Sequence, residues 1–264
     1  MPLPSVVLAA DLPPAVVLAV LTQPSDGGAR LVGARLTGDG PPGLAVDVDV
    51  LLSREAAKGE AGEIIAVPVP GPGPLERVLL VGLGDGSPPA LRKAGAALAR
   101  RAKDAVSLAV DLRAFELEAP ALRALVEGLL LASYRFSRKA EPKVRALQDV
   151  TLVGPVGQDE LAAAVLVVTA TAAARDLVNT PSLEKSPEWL ADSARTLLTG
   201  LSVTVLDEME LRRKGFGGIV GVGQGSTRPP RLIQAVYDGG GSRHVVLVGK
   251  GITFDTGGLS LKPN

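Results

Sequence analysis

The stretch His244–Asn264, HVVLVGKGITFDTGGLSLKPN, decides how the rest of this 264-residue sequence is interpreted. It opens with a continuous apolar run, Val245–Val248, which predicts a strand buried on both faces of a parallel sheet. Three charged residues follow the strand around a glycine-rich turn: Lys250, Asp255 and Lys262. Because ligands of open α/β sheets bind at the carboxyl ends of strands, the sequence predicts a functional site here.

Two lysines and an aspartate beside a turn are also compatible with a structural role, as solvated lysines and a carboxylate that caps the turn. The longer string VGKGITFDTGGLSLKP favours the functional interpretation, because it closely resembles the signature of the leucyl aminopeptidase family, the di-metal cytosolic aminopeptidases. Two upstream strings resemble the same family in the same order, RDLVNTP at Arg175–Pro181 and GFGGIVGVGQGSTRPPRLIQAVY at Gly215–Tyr237. The resemblance is dense from Asp176 to the last residue and looser over residues 1–156.

The resemblance implies a role for each of the three charged residues. Lys250 and Asp255 match metal ligands of the family, and the aspartate bridges two divalent ions there. The candidate ions are Mn²⁺, Zn²⁺ and Mg²⁺. A carboxylate suits such ions, and a lysine can bind a metal only as its neutral amine, because ligands must first lose their proton. Lys262 matches a catalytic lysine that polarises the substrate carbonyl and stabilises the oxyanion that develops from it.

The resemblance also implies an activity. Members of this family release N-terminal amino acids from peptides and prefer leucine-like residues. They use a water molecule that is activated between two metal ions, and they act as homo-hexamers in the cytoplasm. In the family the remaining metal carboxylates and an active-site arginine follow the signature, whereas this sequence stops at Asn264. Two ligands do not complete two coordination spheres of about four to six each. We therefore expect the 264-residue chain alone to be weak or inactive, and the alternative is a non-catalytic binding or assembly protein derived from the same fold.

Composition restricts the class of protein. The 28 basic and 28 acidic residues balance, which argues against a nucleic-acid partner, and the basic residues from Arg135 to Arg145 are interpreted as a solvated connection. The absence of cysteine excludes disulfides and thiolate metal sites, and the single histidine leaves oxygen ligands as the main option. No export signal is visible, and the apolar segment Leu161–Ala174 is shorter than the roughly 20 residues of a membrane span. We expect a cytoplasmic protein without a membrane segment.

Alternating strands and helices predict an α/β fold. We expect an N-terminal α/β domain with a mainly parallel sheet over residues 1–156, and the first, incomplete part of an α/β/α metallopeptidase catalytic domain over residues 157–264. The boundary is the turn Gly154–Gly157. One segment of the first domain, Ala45–Leu52, alternates valine with Asp47 and Asp49, which predicts a half-exposed strand with both carboxylates in solvent. Leu232–Tyr237 is predicted to be a strand paired beside Val245–Val248.

A second glycine-rich turn, at Gly82, Gly84 and Gly86, follows a predicted buried strand and raises the possibility of a nucleotide-binding module. The G-x-G-x-x-G spacing fails, because Ser87 stands where the third glycine is required. We favour a structural connection from strand to helix, with Ser87 as N-cap and Pro88-Pro89 in the first helical turn. Nucleotide binding is kept as a third hypothesis.

Overall fold

The computed structural model describes residues 3–32, 47–115, 118–139 and 147–253. The chain divides into two compact units, unit 1 (Met1–Ala172) and unit 2 (Ala173–Asn264). In unit 1 the elements are β1 (Ser5–Ala9), β2 (Val17–Ser25), β3 (Gly28–Leu31), α1 (Val48–Arg54), β4 (Ile64–Pro68), β5 (Arg77–Gly82), α2 (Pro88–Arg101), β6 (Ser107–Asp111), α3 (Ala119–Ser133) and β7 (Asp149–Val153). They are followed by α4 (Gln158–Asn179), α5 (Pro187–Leu197), β8 (Ser202–Leu206), α6 (Glu208–Arg213), α7 (Gly217–Gly223) and β9 (Leu232–Val236).

The described strands of unit 1 form one sheet in the order β1-β7-β6-β2-β5-β4, with β3 beside β2. β1, β7, β6, β2 and β5 are parallel, whereas β4 and β3 run antiparallel to β5 and β2. The apolar strand β2 is central: Val17 pairs with Arg77 of β5 on one side and with Leu108 of β6 on the other. Its first six residues are buried, as expected of a parallel strand covered on both faces. The predicted α/β class with a mainly parallel sheet is confirmed.

Each face of this sheet has its own apolar core. On one face α2, α3 and the first half of α4 pack against the strands, and Leu79, Leu98 and Leu125 are among the side chains that lose essentially all contact with water. On the other face α1 covers β2 and β5 through Val48 and Leu52. Burial of such side chains supplies about 1.5–3 kcal/mol each and is the main source of stability in unit 1.

α1 stands where the sequence predicted a strand, so that prediction is wrong. The Asp47 side chain caps the helix by accepting hydrogen bonds from the backbone N–H groups of Asp49 (3.0 Å) and Val50 (3.2 Å). Val48 and Leu52, four residues apart, then lie on one buried face. The alternation of valine and aspartate is typical of a strand, but the Asp47 N-cap and the apolar pair Val48 and Leu52 favour a helix. Both aspartates are exposed, as expected.

α2 and α3 approach each other through two glycines. A Cβ added to Gly95 would overlap the carbonyl oxygen of Leu125, and a Cβ added to Gly128 would overlap the carbonyl oxygen of Arg92. Both glycines are buried in the middle of their helices. The two backbones are therefore closer than any side chain at these positions would permit.

A charged network spans the same helix pair. The Glu127 carboxylate, 7% exposed, accepts hydrogen bonds from Nη2 of Arg92 and Nε of Arg123, both at 2.8 Å. Burial by itself raises the pKa of Glu127, but the hydrogen bonds and charges of the two arginines outweigh it and hold the pKa below its ordinary value. The ionised carboxylate thus links α3 to α2.

α4 is longer than the apolar segment singled out from the sequence. Its first half packs on the core of unit 1 through Leu161, Ala164 and Val168, and the division between the units falls within it, after Ala172, rather than before it. The assignment of residues 1–156 and 157–264 as domains stays a prediction. Among the described residues α4 alone is long and apolar enough to cross a membrane, which is weak support for a span because core helices of soluble proteins meet the same criterion.

Unit 2 contains a two-stranded antiparallel sheet in its described part, in which Ser202 to Leu206 of β8 pair with Val236 to Leu232 of β9. α6 begins with a capping box, in which the Asp207 side chain accepts from the N–H of Glu210 at 2.9 Å and the Glu210 carboxylate accepts from the N–H of Asp207 at 3.2 Å. A small core forms between β8, α6 and α7. The sequence did not predict α7, because four of its seven residues are glycine.

Candidate functional site

The segment that leads to the predicted site forms neither a strand nor a helix between His244 and Thr253. The exposed fractions of Val245–Val248 lie between 70% and 93%, so the prediction of a buried strand is wrong for the structure described. A strand covered on both faces requires a neighbouring strand and packed helices. β9, its predicted neighbour, pairs with β8 instead, and within the described part of unit 2 no other strand adjoins β9.

Lys250 is exposed on this segment, and Asp255 and Lys262 lie outside the described residues. Among the residues with described positions, no group of three or more histidine, aspartate or glutamate side chains is arranged to hold a metal ion. The amine of Lys250 and the carboxylate of Asp255 are chemically suitable ligands for a divalent ion. Such an ion takes about four to six ligands, so these two residues cannot complete its coordination. The donor set therefore fits the predicted metals only in part, and the roles of all three residues stay predictions.

α5 supports the backbone directly after Lys250. A Cβ added to Gly251 would lie 3.1 Å from Cδ2 of Leu190, so the segment passes against this helix. α5 begins with a local start signal, since the Ser186 hydroxyl accepts a hydrogen bond from the N–H of Trp189 at 3.1 Å and a proline occupies the first turn. The exposed segment therefore lies next to α5 at Gly251.

Arg228, in the string Gly215–Tyr237, binds the turn that directly follows the string Arg175–Pro181. Its Nη1 donates to the carbonyl oxygen of Ser182 at 3.0 Å, and its Nη2 donates to that of Leu183 at 2.8 Å. Nζ of Lys185 donates to the carbonyl oxygen of Val178 at 3.1 Å in the same turn after α4. Lys185 thus satisfies a carbonyl group that the end of α4 leaves unpaired, and Arg228 satisfies two carbonyl groups of the turn that follows the helix. Sequence reasoning missed Arg228, because its acceptors lie 45 and 46 residues earlier in the chain and no local pattern identifies them.

The Gly82–Gly86 turn is filled by the chain itself. The N–H of Gly84 donates to the carbonyl oxygen of Gly59 at 2.9 Å, and a Cβ added to Gly82 would overlap the carbonyl oxygen of Glu60. Gly84 has φ of 63°, a left-handed conformation that favours glycine. Gly82 and Gly84 serve close backbone packing, whereas a Cβ added to Gly86 would meet no atom within 4 Å. These contacts support the structural interpretation of the turn, and nucleotide binding stays an untested hypothesis.

Two models of a single family match the chain. The cytosol aminopeptidase family, N-terminal domain, matches residues 44–142, and the cytosol aminopeptidase family, catalytic domain, matches residues 172–264. The probable cytosol aminopeptidase of Mycobacterium marinum is 44% identical over 212 residues, which cover 72% of this chain and 40% of that protein. The probable cytosol aminopeptidase of Mycobacterium bovis is 42% identical over 226 residues, which cover 78% of this chain and 44% of that protein. The chain thus spans less than half the length of these relatives.

Solved structures agree with the sequence matches. The bottromycin maturation enzyme BotP is 29% identical with a TM-score of 0.67, over 85% of this chain and 46% of that one. The same enzyme in complex with Mn gives a TM-score of 0.66. A tomato leucine aminopeptidase mutant, 23% identical, shares the fold with a TM-score of 0.70 over 97% of this chain and 55% of that one. With both domain models in order and close relatives of the same name, the chain belongs to the cytosol aminopeptidase family.

Proposed function

We propose that the chain carries the N-terminal domain and the beginning of the catalytic domain of a metal-dependent aminopeptidase, which releases N-terminal amino acids, leucine-like residues preferred, from peptides. The observation that carries the proposal is the string VGKGITFDTGGLSLKP, which lies within the part of the chain matched by the catalytic-domain model. The names of the relatives support a peptidase. The manganese complex of a related enzyme supports a divalent metal.

Three residues of the chain have roles in this proposal. Lys250, as the neutral amine, and Asp255, as a bridging carboxylate, would hold two divalent ions, Mn²⁺ or Zn²⁺ with Mg²⁺ as the third candidate. When bound, such ions supply Lewis acidity for hydrolysis of the peptide bond. Lys262, which keeps its proton, would stabilise the negative charge that develops on the substrate carbonyl oxygen. The partners are peptide substrates and further copies of the chain, up to a hexamer by resemblance, in the cytoplasm.

A second candidate function is a non-catalytic binding or assembly protein built on the same fold. Its support is the exposure of Lys250 and the lack, within the described ranges, of a cluster of acidic residues that could complete a metal centre. The two candidates differ in metal content and in turnover.

The test is hydrolysis of a leucyl chromogenic amide at mildly alkaline pH, with added Mn²⁺ and with a chelator. The 264-residue chain is assayed alone and after co-expression with the C-terminal portion of the Mycobacterium marinum relative. We expect little turnover from the chain alone and chelator-sensitive turnover from the pair. Turnover by the chain alone would contradict our account of the missing ligands. A co-purified pair without turnover would favour the assembly protein.

Substitutions in the active pair test the individual residues. Asp255→Asn is expected to lower bound metal measured by atomic emission. Lys262→Ala is expected to leave metal content unchanged and lower kcat by about 10²–10³, the usual effect of removing one group that stabilises an oxyanion. Exposed residues of unit 2 provide the matched controls, Asp238→Asn and Lys214→Ala, which should change neither quantity. Equal metal content in Asp255→Asn and the parent would refute the ligand assignment.

A further inference from the structure

β1 forms one edge of the sheet in unit 1, and its ladder with β7 fixes the direction of each backbone group. The N–H of Ser5 donates to the carbonyl oxygen of Gln148 at 2.7 Å, and the N–H of Gly154 donates to the carbonyl oxygen of Ala9 at 3.1 Å. Ser5 and Ala9 therefore direct their N–H and C=O groups toward β7. Val7 does the same, because the direction repeats at every second residue of a strand.

The residues between them, Val6 and Leu8, direct their N–H and C=O groups away from β7. Within the described ranges no strand lies on that side of β1, and these backbone groups form no hydrogen bond there. A row of unpaired backbone groups at a sheet edge is a template for another strand. The outer side of β1 thus offers two residues that can each donate and accept a hydrogen bond.

The opposite edge of the sheet is blunted, whereas β1 is not. Directly after β4, the N–H of Val69 donates to the carbonyl oxygen of Glu76 at 2.8 Å. Its neighbour Pro68 therefore faces outwards, where it has no N–H to offer to another strand. β1 contains neither a proline nor a charged residue from Ser5 to Ala9. Of these two edges, β1 is the one that remains suited to pairing.

Val7 adds an apolar side chain to this edge. The side chains of Val6 and Leu8 pack against the apolar core of unit 1, so the side chain of Val7 lies on the opposite face of the strand. It is 52% exposed. A partner strand should therefore pair with the outward groups of Val6 and Leu8 and place an apolar side chain opposite Val7.

A second copy of β1 meets both requirements. In an antiparallel pair centred on Val7, Val6 of each copy lies opposite Leu8 of the other, and each of these pairs exchanges two hydrogen bonds. Val7 then lies opposite Val7 of the other copy in a non-hydrogen-bonded pair, whose Cα atoms are about 4.5 Å apart, so the two exposed valines cover each other. Such a contact is self-complementary, as twofold symmetry requires. We propose that the chain pairs with a second copy of itself through β1, which continues the sheet across both copies.

This inference rests on the part of the proposed function that assigns further copies of the chain as partners, and it names the surface that they use. A single pair of five-residue strands is too small to bury the roughly 1,200–2,000 Å² of a stable protein–protein interface. We therefore expect a reversible dimer with a Kd of about 1 μM to 1 mM.

Sedimentation equilibrium of the full chain over this concentration range tests the surface. We expect a monomer–dimer equilibrium in the parent and at least a tenfold weaker Kd in Val7→Lys, because two ammonium groups would face each other. Val7→Glu should weaken the dimer for the same reason. An equimolar mixture of the two variants should associate as tightly as the parent, because opposite charges then face each other.

A matched control separates this contact from a general effect of added charge. Val50→Lys changes another exposed valine of unit 1, in α1, which is 63% exposed, and it should leave the Kd unchanged. Circular dichroism checks that each variant keeps the fold of the parent. The proposal is refuted if the parent stays monomeric throughout the range, if Val7→Lys dimerises like the parent, if Val50→Lys loses as much affinity, or if the mixture associates no better than each variant alone.

The sedimentation measurement needs no turnover, so its result is separate from that of the peptidase assay. A monomeric parent together with chelator-sensitive turnover in the co-expressed pair would refute the β1 surface and leave the peptidase in place. A dimer that depends on Val7, together with a co-expressed pair that lacks turnover, would support the β1 surface and count against the peptidase.

Discussion

Replacing Gly128 with alanine tests the close approach of α2 and α3. In a helix this change normally stabilises a protein by about 1 kcal/mol, because alanine has the higher helix propensity. Here the added Cβ would overlap the backbone carbonyl of Arg92, which cannot rotate away as a side chain could. Overpacking of this kind costs about 1–3 kcal/mol. We place Gly128→Ala at the upper end of that range, so that unfolding of unit 1 becomes easier by about 2 kcal/mol after the gain in propensity.

Urea unfolding followed by two probes measures this effect. Far-ultraviolet circular dichroism reports the helices of both units, whereas fluorescence reports unit 2, because the only tryptophan, Trp189, lies in α5. With a slope of about 2 kcal/mol per M of urea, the unit 1 midpoint should fall by about 1 M while the fluorescence transition stays in place. Gly73→Ala is the control, since a Cβ there meets no atom within 4 Å, and it should change stability by no more than about 0.5 kcal/mol. A Gly128→Ala variant as stable as the parent, or more stable, would refute the packing argument.

Two further predictions concern the charged contacts. Glu127→Gln should destabilise unit 1 by about 1–2 kcal/mol at neutral pH, because one arginine loses its acceptor and the other keeps only an uncharged acceptor. The pKa of Glu127 is lower in the folded than in the unfolded chain, so its contribution is present above its ordinary pKa and is lost as the pH falls through the folded value. The difference between parent and variant in urea midpoint should therefore shrink below pH 4.5, and a difference independent of pH would contradict the ionised network. Arg228→Met should lower the fluorescence-detected midpoint of unit 2, because the carbonyls of Ser182 and Leu183 lose their donors, whereas Arg213→Met, an exposed arginine of α6, should not.

Local sequence patterns were sufficient to predict most helices and strands of unit 1. Ser87 does precede α2, with two prolines in its first turn. The continuous apolar runs in β2 and β5 are recognisable in the sequence, because parallel strands are covered on both faces. α1 was misassigned, since a seven-residue segment offers too few positions to separate a period of 2 from one of 3.6. β3 was missed because it is four residues long.

The structure of the candidate site depends on contacts between segments that are far apart in the sequence. The string around Lys250 is specific as a signature, but the structure of Val245–Val248 depends on neighbours that no local pattern describes. The apolar run satisfied the rule for a buried strand, yet these residues are exposed in the described structure. Arg228 shows the same limit, since its contacts join segments far apart in the sequence. A sequence pattern can thus name the chemistry of a site before it can predict the packing around it.

The central position of β2 has a consequence for synthesis of the chain. β2 ends at Ser25, but its two parallel neighbours end at Gly82 and Asp111. At a translation rate of about 5–20 residues per second, roughly 4–17 s pass between release of β2 and completion of its second neighbour. Until β5 is complete, β2 has no parallel partner, and until β6 is complete one edge of β2 stays open to association with other nascent chains. We therefore expect the yield of soluble protein to depend on chaperones that bind the nascent chain early.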